Sequence, residues 1–459
     1  MSLNRKKSLT CALTSGAFAL LSGLLPLSLQ GQDLSPDNPF AQPSELSLYY
    51  PPFDAISNED YEPAFEAGMA QHLVEIDAIV AQDAAPSFEN TIVKLELAGQ
   101  LLNRVSRVFF ALSGAHTNDQ IQALQQQIAP QLAAHDDAIV LNADLFARIQ
   151  ALFADRAELG LTPEAVRLIE QYHTDYVRAG AALSREEKSR LREINGELAS
   201  LQTKFSQNVL NEVNAMALVV DSREELTGLD AALIDAAAKE AVSRDLAGKY
   251  VIPLLNTSGQ PALSSLQNRA VRERLYQASV ARGTRGGEFD NTQTLSSVLK
   301  LRAERAQLLG YATHADYVLE DATAQTTQAV NERLAALAPP AAANVRREAR
   351  DLQAMVEASG GDFDLAAWDW QYYSEKLRQE RYAFDESQLR PYFELDNVLQ
   401  RGVFFAAGEL YGLRFSERFD LPVYHEDVRV FDVMEEDGSQ LGIFIGDFYA
   451  RPSKRGGAW

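Results

Sequence analysis

Apolar residues recur every three or four positions through most of this chain, and that spacing constrains the fold more than any other feature. The clearest case is the segment 58–82, with Tyr61, Phe65, Met69, Leu73, Ile76 and Ile79. Residues three and four apart share one face of an α-helix, so each such segment predicts a helix with one buried stripe. The same spacing predicts helices over 87–113, 118–159, 184–214, 231–243, 261–281, 291–309, 314–322, 326–337 and 395–411. The chain is therefore predicted to be mainly α and multi-helical.

Local signals place several helix boundaries. Thr162-Pro163-Glu164 combines a hydroxyl N-cap, a proline in the first turn and an acid, which predicts a helix start. Ser184-Arg-Glu-Glu187 has the pattern of a capping box. Breaks are predicted near Pro130 and Asn142, and Pro339-Pro340 is predicted to end one helix before another continues to Ala358. A further helix, rich in aromatic residues, is predicted to begin at Trp368.

Strand signals are few and concentrate near the C-terminal end. The segments 217–220 and 249–255 have β-like composition, and a soft domain boundary is placed near residue 225. Near the end, 427–434 and 441–449 flank Asp437-Gly438, a dipeptide typical of a tight hairpin turn. The second of these strands is apolar on both faces, which predicts burial on both sides. Gly442 and Gly446 within it predict close approach by a neighbouring element.

The N-terminal 31 residues have the pattern of a secretory signal peptide. Arg5, Lys6 and Lys7 precede an uncharged stretch that is mostly apolar from Cys11 to Leu29. Small and polar residues interrupt that stretch, which favours cleavage between Ser28 and Asp33, although an uncleaved anchor helix is the alternative. Cys11 is the only cysteine, so a mature chain would have neither disulfides nor thiolate ligands.

A net charge of −22 argues against nucleic acid and anionic membranes as partners. The chain is long enough for two or three domains. We divide it into the signal peptide 1–31, an N-terminal helical region 32–225 and a C-terminal region 226–459.

Six histidines are the first candidates for chemistry: His72, His116, His135, His173, His314 and His425. None belongs to a His-Glu-x-x-His pair. Glu170-x-x-His173 and His72-x-x-Glu75 have a spacing used in metal-binding helical bundles, but such bundles need two Glu-x-x-His pairs and further glutamates. Both pairs are interpreted as ordinary helix-surface pairs.

The remaining candidates are also given structural interpretations. Neither a glycine-rich phosphate loop nor a Gly-x-Ser-x-Gly turn occurs. Arg285-Gly-Gly287 and Arg455-Gly-Gly457 are interpreted as turns, and Lys454 and Arg455 as solvated loop cations. The aromatic cluster 368–373 is predicted to pack in a core against Phe384, Tyr392 and Phe393. The residues themselves therefore assign no catalytic, substrate-binding or metal-ligating position.

Several ordered segments nevertheless resemble one family, the M3, thimet-oligopeptidase-like zinc metallopeptidases, in its bacterial peptidyl-dipeptidase (Dcp) branch. The resemblance covers about residues 38–459. Its segments include Asn38-Pro-Phe40, Pro51-Pro-Phe-Asp-Ala-Ile56, Tyr61 to Met69, Phe88 to Ile92, Arg104 to Phe110, Glu304 to Gly310, Trp368 to Tyr373, Arg390 to Leu399, Leu421 to His425 and Tyr449 to Trp459.

The resemblance implies a mainly helical, two-lobed fold with a channel, and an enzyme that removes dipeptides from the C-termini of short peptides. It implies one zinc ion held by the histidines of a His-Glu-x-x-His helix and a downstream glutamate, whose equivalents would follow Trp459. The chain is therefore expected to lack the zinc ligands, and no catalytic residue is carried over. It is expected to be a periplasmic monomer acting on short peptides, with 226–459 as the first part of the peptidase domain.

Three hypotheses remain open at this point. The first is the N-terminal portion of an exported peptidyl-dipeptidase, inactive by itself. The second is a non-catalytic exported peptide-binding or scaffold protein derived from the same family. The third is an endopeptidase of the oligopeptidase A branch, which the signal sequence and the Dcp-like segments disfavour.

The charge pattern of residues 1–31 gives the first testable prediction. When the gene is expressed in a bacterium with its own leader, the protein should accumulate in the periplasm and begin between Leu29 and Asp33. N-terminal sequencing of the periplasmic fraction measures this. Replacing Arg5, Lys6 and Lys7 with glutamine should retain the protein in the cytoplasm. An intact Met1 on a cytoplasmic product of the native sequence would contradict the assignment.

Overall fold

The computed structural model describes residues 34–255, 260–383 and 388–456. Within them the chain is mainly helical with small antiparallel sheets, so the predicted fold class is confirmed. The two-lobed channel implied by the family resemblance stays a prediction. The signal peptide, Phe384 and the last three residues of the closing motif lie outside the described residues.

The helices are numbered in chain order. They are α1 (Tyr61–Val80), α2 (Lys94–Leu97), α3 (Gln100–Ala115), α4 (Asp119–Val140), α5 (Ala143–Asp155), α6 (Pro163–Arg178), α7 (Arg185–Ala215), α8 (Ala231–Ser243), α9 (Arg269–Val280), α10 (Thr292–Leu308), α11 (His314–Leu319), α12 (Thr327–Ala358), α13 (Trp370–Tyr382), α14 (Leu395–Val398) and α15 (Phe405–Tyr411). The strands are β1 (Leu218–Val220), β2 (Tyr250–Ile252), β3 (Arg414–Arg418), β4 (Arg429–Met434) and β5 (Gln440–Gly446).

The chain divides into two compact units. Among the described residues, unit 1 comprises those within 34–207, 291–323 and 422–424, and unit 2 comprises those within 208–290, 324–421 and 425–456. The chain thus leaves unit 2 for α10 and α11 and then returns. The boundary between the two units falls inside α7. The sequence placed the boundary between its two regions near residue 225, and that boundary stays a prediction.

Aromatic contacts dominate one core of unit 1. The rings of Tyr61 and Phe65 on α1 lie 5.1 and 5.2 Å from that of Phe109 on α3. The N-terminal arm packs on this core, since Phe40 is buried against Tyr61 and its carbonyl accepts hydrogen bonds from the guanidinium of Arg104. Part of the segment that precedes α1 therefore lies on a helical surface.

Predicted caps form as expected. The Thr162 hydroxyl accepts from the backbone N–H of Ala165 at the start of α6. Ser184 and Glu187 exchange hydrogen bonds of 2.9 and 3.3 Å, which completes the capping box of α7. These local signals are reliable because the hydrogen bonds involved span only three residues.

Prolines proved poor predictors of helix ends here. Both α4 and α12 continue through their prolines, at Pro130 and at Pro339-Pro340. The predicted breaks at these prolines are wrong. In α12, the carbonyls of Ala335 and Ala336 lose their intrahelical donors, but these residues are exposed and water can satisfy them.

A glycine produced a break that was not predicted. Gly99 separates α2 from α3 at φ 72°, inside the single helix expected over 87–113. That left-handed conformation favours glycine, and a Cβ there would also lie 2.9 Å from Nδ1 of His72. Two independent constraints therefore require glycine at this position.

A buried ion cluster organises unit 2. The Asp369 carboxylate, fully buried at the start of α13, accepts hydrogen bonds of 2.8–3.1 Å from Arg269 and Arg272 of α9. Burial opposes ionisation of Asp369, but these hydrogen bonds outweigh it and hold the pKa of its carboxyl below the usual value. Asp369 therefore fixes α13 against α9.

The aromatic cluster 368–373 contributes to an apolar core of unit 2, but it does not pack against the predicted partners. Tyr373 is buried against Leu352 and Val356 at the C-terminal end of α12. Tyr392 and Phe393 are instead about two-thirds exposed, at 69% and 68%. Core packing is thus confirmed for Tyr373, whereas the partners Tyr392 and Phe393 are wrong. Sequence proximity suggested those partners, but the chain pairs α13 with the preceding helix.

The predicted hairpin forms, and a third strand joins it. The strands β4 and β5 pair antiparallel around a turn in which Gly438 has φ 87°, and β3 pairs with the other edge of β4. Burial of β5 on both sides is wrong, since Leu441 is 55% exposed and Ile445 is also exposed. The apolar core lies on one face of the sheet, where Phe404, Phe415, Phe431 and Phe444 cluster.

The two glycines of β5 differ in their surroundings. A Cβ at Gly446 would lie 2.4 Å from the Phe448 ring, whereas one at Gly442 would meet nothing within 4 Å. The predicted approach of a neighbouring element is therefore wrong at Gly442, and at Gly446 a close contact exists but with a different partner. The neighbour at Gly446 is also a side chain two residues away, not another element.

This difference makes a matched pair of substitutions informative. Gly446→Val should lower the free energy of unfolding by about 1–3 kcal/mol, because the Phe448 ring must move to admit the side chain. Gly442→Val should change it little, since the space is open. Urea unfolding of both variants measures this. Equal midpoints for the two variants would contradict the assignment.

Candidate functional site

Zinc is the cofactor that the family resemblance implies, and the described residues do not fit it. In 34–255, 260–383 and 388–456, no group of three or more His, Cys, Asp or Glu side chains could hold a metal ion. A structural or catalytic zinc needs at least three converging protein ligands. We therefore derive no step through a metal from these residues.

Two histidines that lie far apart in sequence do meet. Nδ1 of His72 on α1 lies 3.0 Å from Nε2 of His135 on α4, so one ring donates to the other. Burial and the neighbouring His72 lower the pKa of His135 to about 4, and burial lowers the pKa of His72. The pair is thus held neutral at physiological pH. Sequence reasoning missed it because 63 residues separate the partners and no spacing rule links them.

The two predicted helix-surface pairs each have structural partners. Glu75 Oε2 accepts from the N–H of Gly99 at 2.7 Å, so it anchors the turn before α3. Glu170 instead pairs with Arg156 at 3.2 Å, and the His173 ring stacks on Phe153 at 3.8 Å. His72 and Glu75, like Glu170 and His173, therefore each contact a structural partner outside their own pair.

A buried carboxylate follows His135 by two residues on α4. Asp137 of α4 accepts a hydrogen bond of 2.8 Å from the Asn195 amide of α7. Burial raises the pKa of Asp137 to about 6, while Asn195, Arg192 and Arg305 favour its ionised form. The network joins α4, α7 and α10 within unit 1.

The closing basic segment is structural in its described part. Lys454 donates to the backbone carbonyls of Asp447 and Tyr449, at 2.6 and 3.1 Å, and pairs with the Asp447 carboxylate. Arg451 binds the same carboxylate through two hydrogen bonds of 2.7 and 2.8 Å. The interpretation of Lys454 as a solvated loop cation is therefore wrong. Both of its partners lie just after β5 in the chain. The positive charge of the segment does not by itself reveal that Lys454 contacts them.

The Arg-Gly-Gly segment at 285–287 forms a turn, as predicted. Gly286 and Gly287 both have positive φ, and Arg285 pairs with the buried Glu212 of α7 at 3.0 Å. Arg285 is thus paired with a carboxylate of the same unit, unit 2.

The three-stranded sheet of unit 2 has an edge strand that could pair with an extended ligand. In the strand order β3-β4-β5, β5 is hydrogen-bonded to β4 alone among the described strands. Leu441 and Ile445 are exposed along it, and the space beside Gly442 is open. An edge strand of this kind can pair with an extended peptide through main-chain hydrogen bonds.

No helix in the described part of the chain is both long and apolar enough to cross a membrane.

Comparison with known proteins agrees with the sequence resemblance. Residues 262–459 match the family model described as "Peptidase family M3". The chain is 43% identical over 422 residues to a dipeptidyl carboxypeptidase of Salmonella typhimurium and 42% identical to one of Escherichia coli. Each match covers 92% of this chain and 62% of the relative.

A second group of relatives is more distant. The chain is 31% identical over 426 residues to the oligopeptidase A of Escherichia coli, again covering 92% of this chain and 62% of the relative. The chain thus spans about three-fifths of the length of these curated relatives, and its similarity to them extends well beyond the segment matched by the family model. These matches show that the chain belongs to peptidase family M3.

Proposed function

We propose that this chain is a large part of an exported zinc peptidyl-dipeptidase, which removes dipeptides from the C-termini of short peptides. The observation that carries the proposal is the 42–43% identity to dipeptidyl carboxypeptidases across 92% of the chain. Identity to the oligopeptidase A of Escherichia coli is lower, at 31% over a similar span, which favours the exopeptidase hypothesis over the endopeptidase one.

The edge strand β5 supports a role in holding the substrate. A short peptide lying antiparallel to β5 would gain main-chain hydrogen bonds without regard to its sequence. Its alternate side chains would meet the exposed side chains of Leu441 and Ile445. Such an arrangement suits an enzyme that accepts many short peptides.

We propose that the catalytic residues of the enzyme are not among these 459 residues. The 459 residues contain no His-Glu-x-x-His sequence, which in this mechanism supplies two zinc ligands and the glutamate that activates water. We propose that the 459-residue chain by itself neither binds zinc stoichiometrically nor hydrolyses peptides. When bound in the whole enzyme, zinc would polarise the scissile carbonyl and activate a water molecule.

A second candidate function is a non-catalytic, exported peptide-binding protein. The lack of a converging ligand set in the described residues favours it over a complete enzyme. In both cases we propose a periplasmic monomer whose partners are short peptides. The net charge of −22 supports the exclusion of nucleic acid and anionic membranes.

Metal analysis and a cleavage assay test the catalytic proposal. We expect neither zinc nor hydrolysis of tetrapeptides with the 459-residue chain. We expect both with a chimera that joins to it the parts of the Salmonella relative outside the match. In the chimera, EDTA should abolish release of C-terminal dipeptides, because the metal is removed.

Each alternative outcome has a distinct meaning. EDTA-sensitive cleavage by the 459-residue chain would overturn its proposed inactivity. A folded, zinc-loaded chimera that cleaves only within longer peptides would support the endopeptidase hypothesis. A folded, zinc-loaded chimera that cleaves nothing would contradict the peptidase proposal.

Peptide binding to β5 can be measured separately from catalysis. Leu441→Asp and Ile445→Asp should each weaken binding of a fluorescently labelled tetrapeptide by about fivefold or more, through loss of apolar contact and an added charge. Fluorescence anisotropy on the 459-residue chain gives the dissociation constants. Leu410→Asp is the matched control, since Leu410 is an exposed leucine on α15. Equal weakening in all three variants would show that β5 has no special role.

A further inference from the structure

Unit 1 contains an arginine that lacks a partner although acidic residues are abundant. Arg302 on α10 is half-buried and forms neither a hydrogen bond nor an ion pair within the described residues. The chain holds 64 acidic residues against 42 basic ones, so a partner of opposite charge would be easy to provide. Desolvating a guanidinium without a counter-charge is unfavourable.

Two further buried nitrogens, one on α10 and one on α11, also lack hydrogen-bond partners. Nε of Arg305, three residues along α10, is buried without a hydrogen-bond partner. Nδ1 of His314, the first residue of α11, is likewise buried without one. Arg305 makes one long contact of 3.5 Å, in which its guanidinium donates to the side-chain Oδ1 of Asn195.

The fold brings these groups together. The short connection 309–313 turns α11 back onto α10. Arg305 and His314 both lie next to the Tyr317 ring. Cζ of Arg305 lies 5.5 Å from the centroid of that ring, and the centroid of the His314 ring lies 6.3 Å from it. Arg302 and Arg305 are three residues apart on α10 and therefore lie on the same face of that helix. Burial, and to a smaller extent Arg302, lowers the pKa of Arg305 and of His314.

Neighbouring acids form no ion pair with this cluster within the described residues. On or beside α11, Asp316 accepts from the Thr313 hydroxyl and Glu320 from Arg178 and Tyr311. On α4, Asp137 is hydrogen-bonded to Asn195. Asp137 also interacts with Arg305 and Arg192 at longer range, but no such interaction links it to Arg302.

From these contacts we propose that Arg302, Arg305 and His314 form a binding site for a small oxyanion, such as inorganic phosphate or a carboxylate. One anion among the three side chains would supply acceptors for the unsatisfied donors and offset the mutual repulsion of the arginines. Guanidinium groups suit such ligands because their planar donors match carboxylate and phosphate oxygens. The site lies within unit 1 and is independent of the proposed peptidase chemistry.

Thermal unfolding in increasing sodium phosphate tests this site, with sodium chloride adjusted to keep the ionic strength constant. The melting temperature of the 459-residue chain should rise with saturation, because the anion binds the folded state. Arg302→Gln should weaken the apparent affinity by about tenfold or more, as expected for one charge-assisted hydrogen bond. Arg185→Gln, an exposed arginine at the start of α7, is the matched control and should behave as the parent chain.

Further measurements keep the proposal falsifiable if Arg302→Gln fails to fold. Arg302→Lys retains the charge and should retain saturable binding, whereas His314→Gln should weaken it. In the parent chain, phosphate should shift the NMR signals of His314 but not those of His425. A parallel titration with sodium acetate separates the two ligand classes, since saturation by acetate identifies a carboxylate site. A rise in melting temperature without saturation, or equal affinities in all variants, would overturn the proposal.

Discussion

The buried carboxylate of Asp369 is the interaction on which the organisation of unit 2 most depends. The chain leaves unit 2 after residue 290, builds α10 and α11 in unit 1, and returns at residue 324. Asp369 lies after that excursion and Arg269 and Arg272 lie before it, so their ion pairs connect the two parts of unit 2. The aromatic rings of Phe363 and Tyr372 cover the two guanidiniums, 4.1 and 4.2 Å from their ring centroids.

A buried ion cluster of this kind contributes more to the specificity of helix packing than to the free energy of folding. The free energy needed to remove the three charged groups from water offsets much of their mutual attraction. Loss of one partner, in contrast, would leave a buried charge without a counter-charge. Asp369 also accepts a hydrogen bond from the N–H of Ala366, in the turn that precedes α13. The same carboxylate therefore positions α13 against α9 and organises the turn from which α13 begins.

The long helix α12, in contrast, is largely exposed. Its C-terminal end is buried through Leu352 and Val356, but Leu334, Leu337 and Val345 along the same helix are exposed. Alanine and arginine, which favour helices, are frequent in this segment, so local propensity supports a helix where packing does not. The sheet face carrying Leu441 and Ile445 is likewise uncovered within the described residues. Both surfaces belong to unit 2, which contains most of the segment that matches the M3 family model.

The sequence by itself determined the mainly helical class, the capped starts of α6 and α7, and the hairpin around Gly438. These features depend on residues a few positions apart, and the physical signals are correspondingly local. Segment-by-segment resemblance also identified the peptidase family. The sequence did not reveal the continuity of α4 and α12 through their prolines, the third strand β3, or the single-sided burial of β5.

Tertiary structure alone decided which distant side chains meet. The His72–His135 pair, the binding of Asp369 by Arg269 and Arg272, and the cluster around Arg302 each join residues from different helices. Composition and spacing cannot anticipate such contacts, because helical periodicity specifies which face is buried but not which partner covers it. The partner is selected by the packing of whole helices, and that packing also decides which charges are neutralised and which remain available to a ligand.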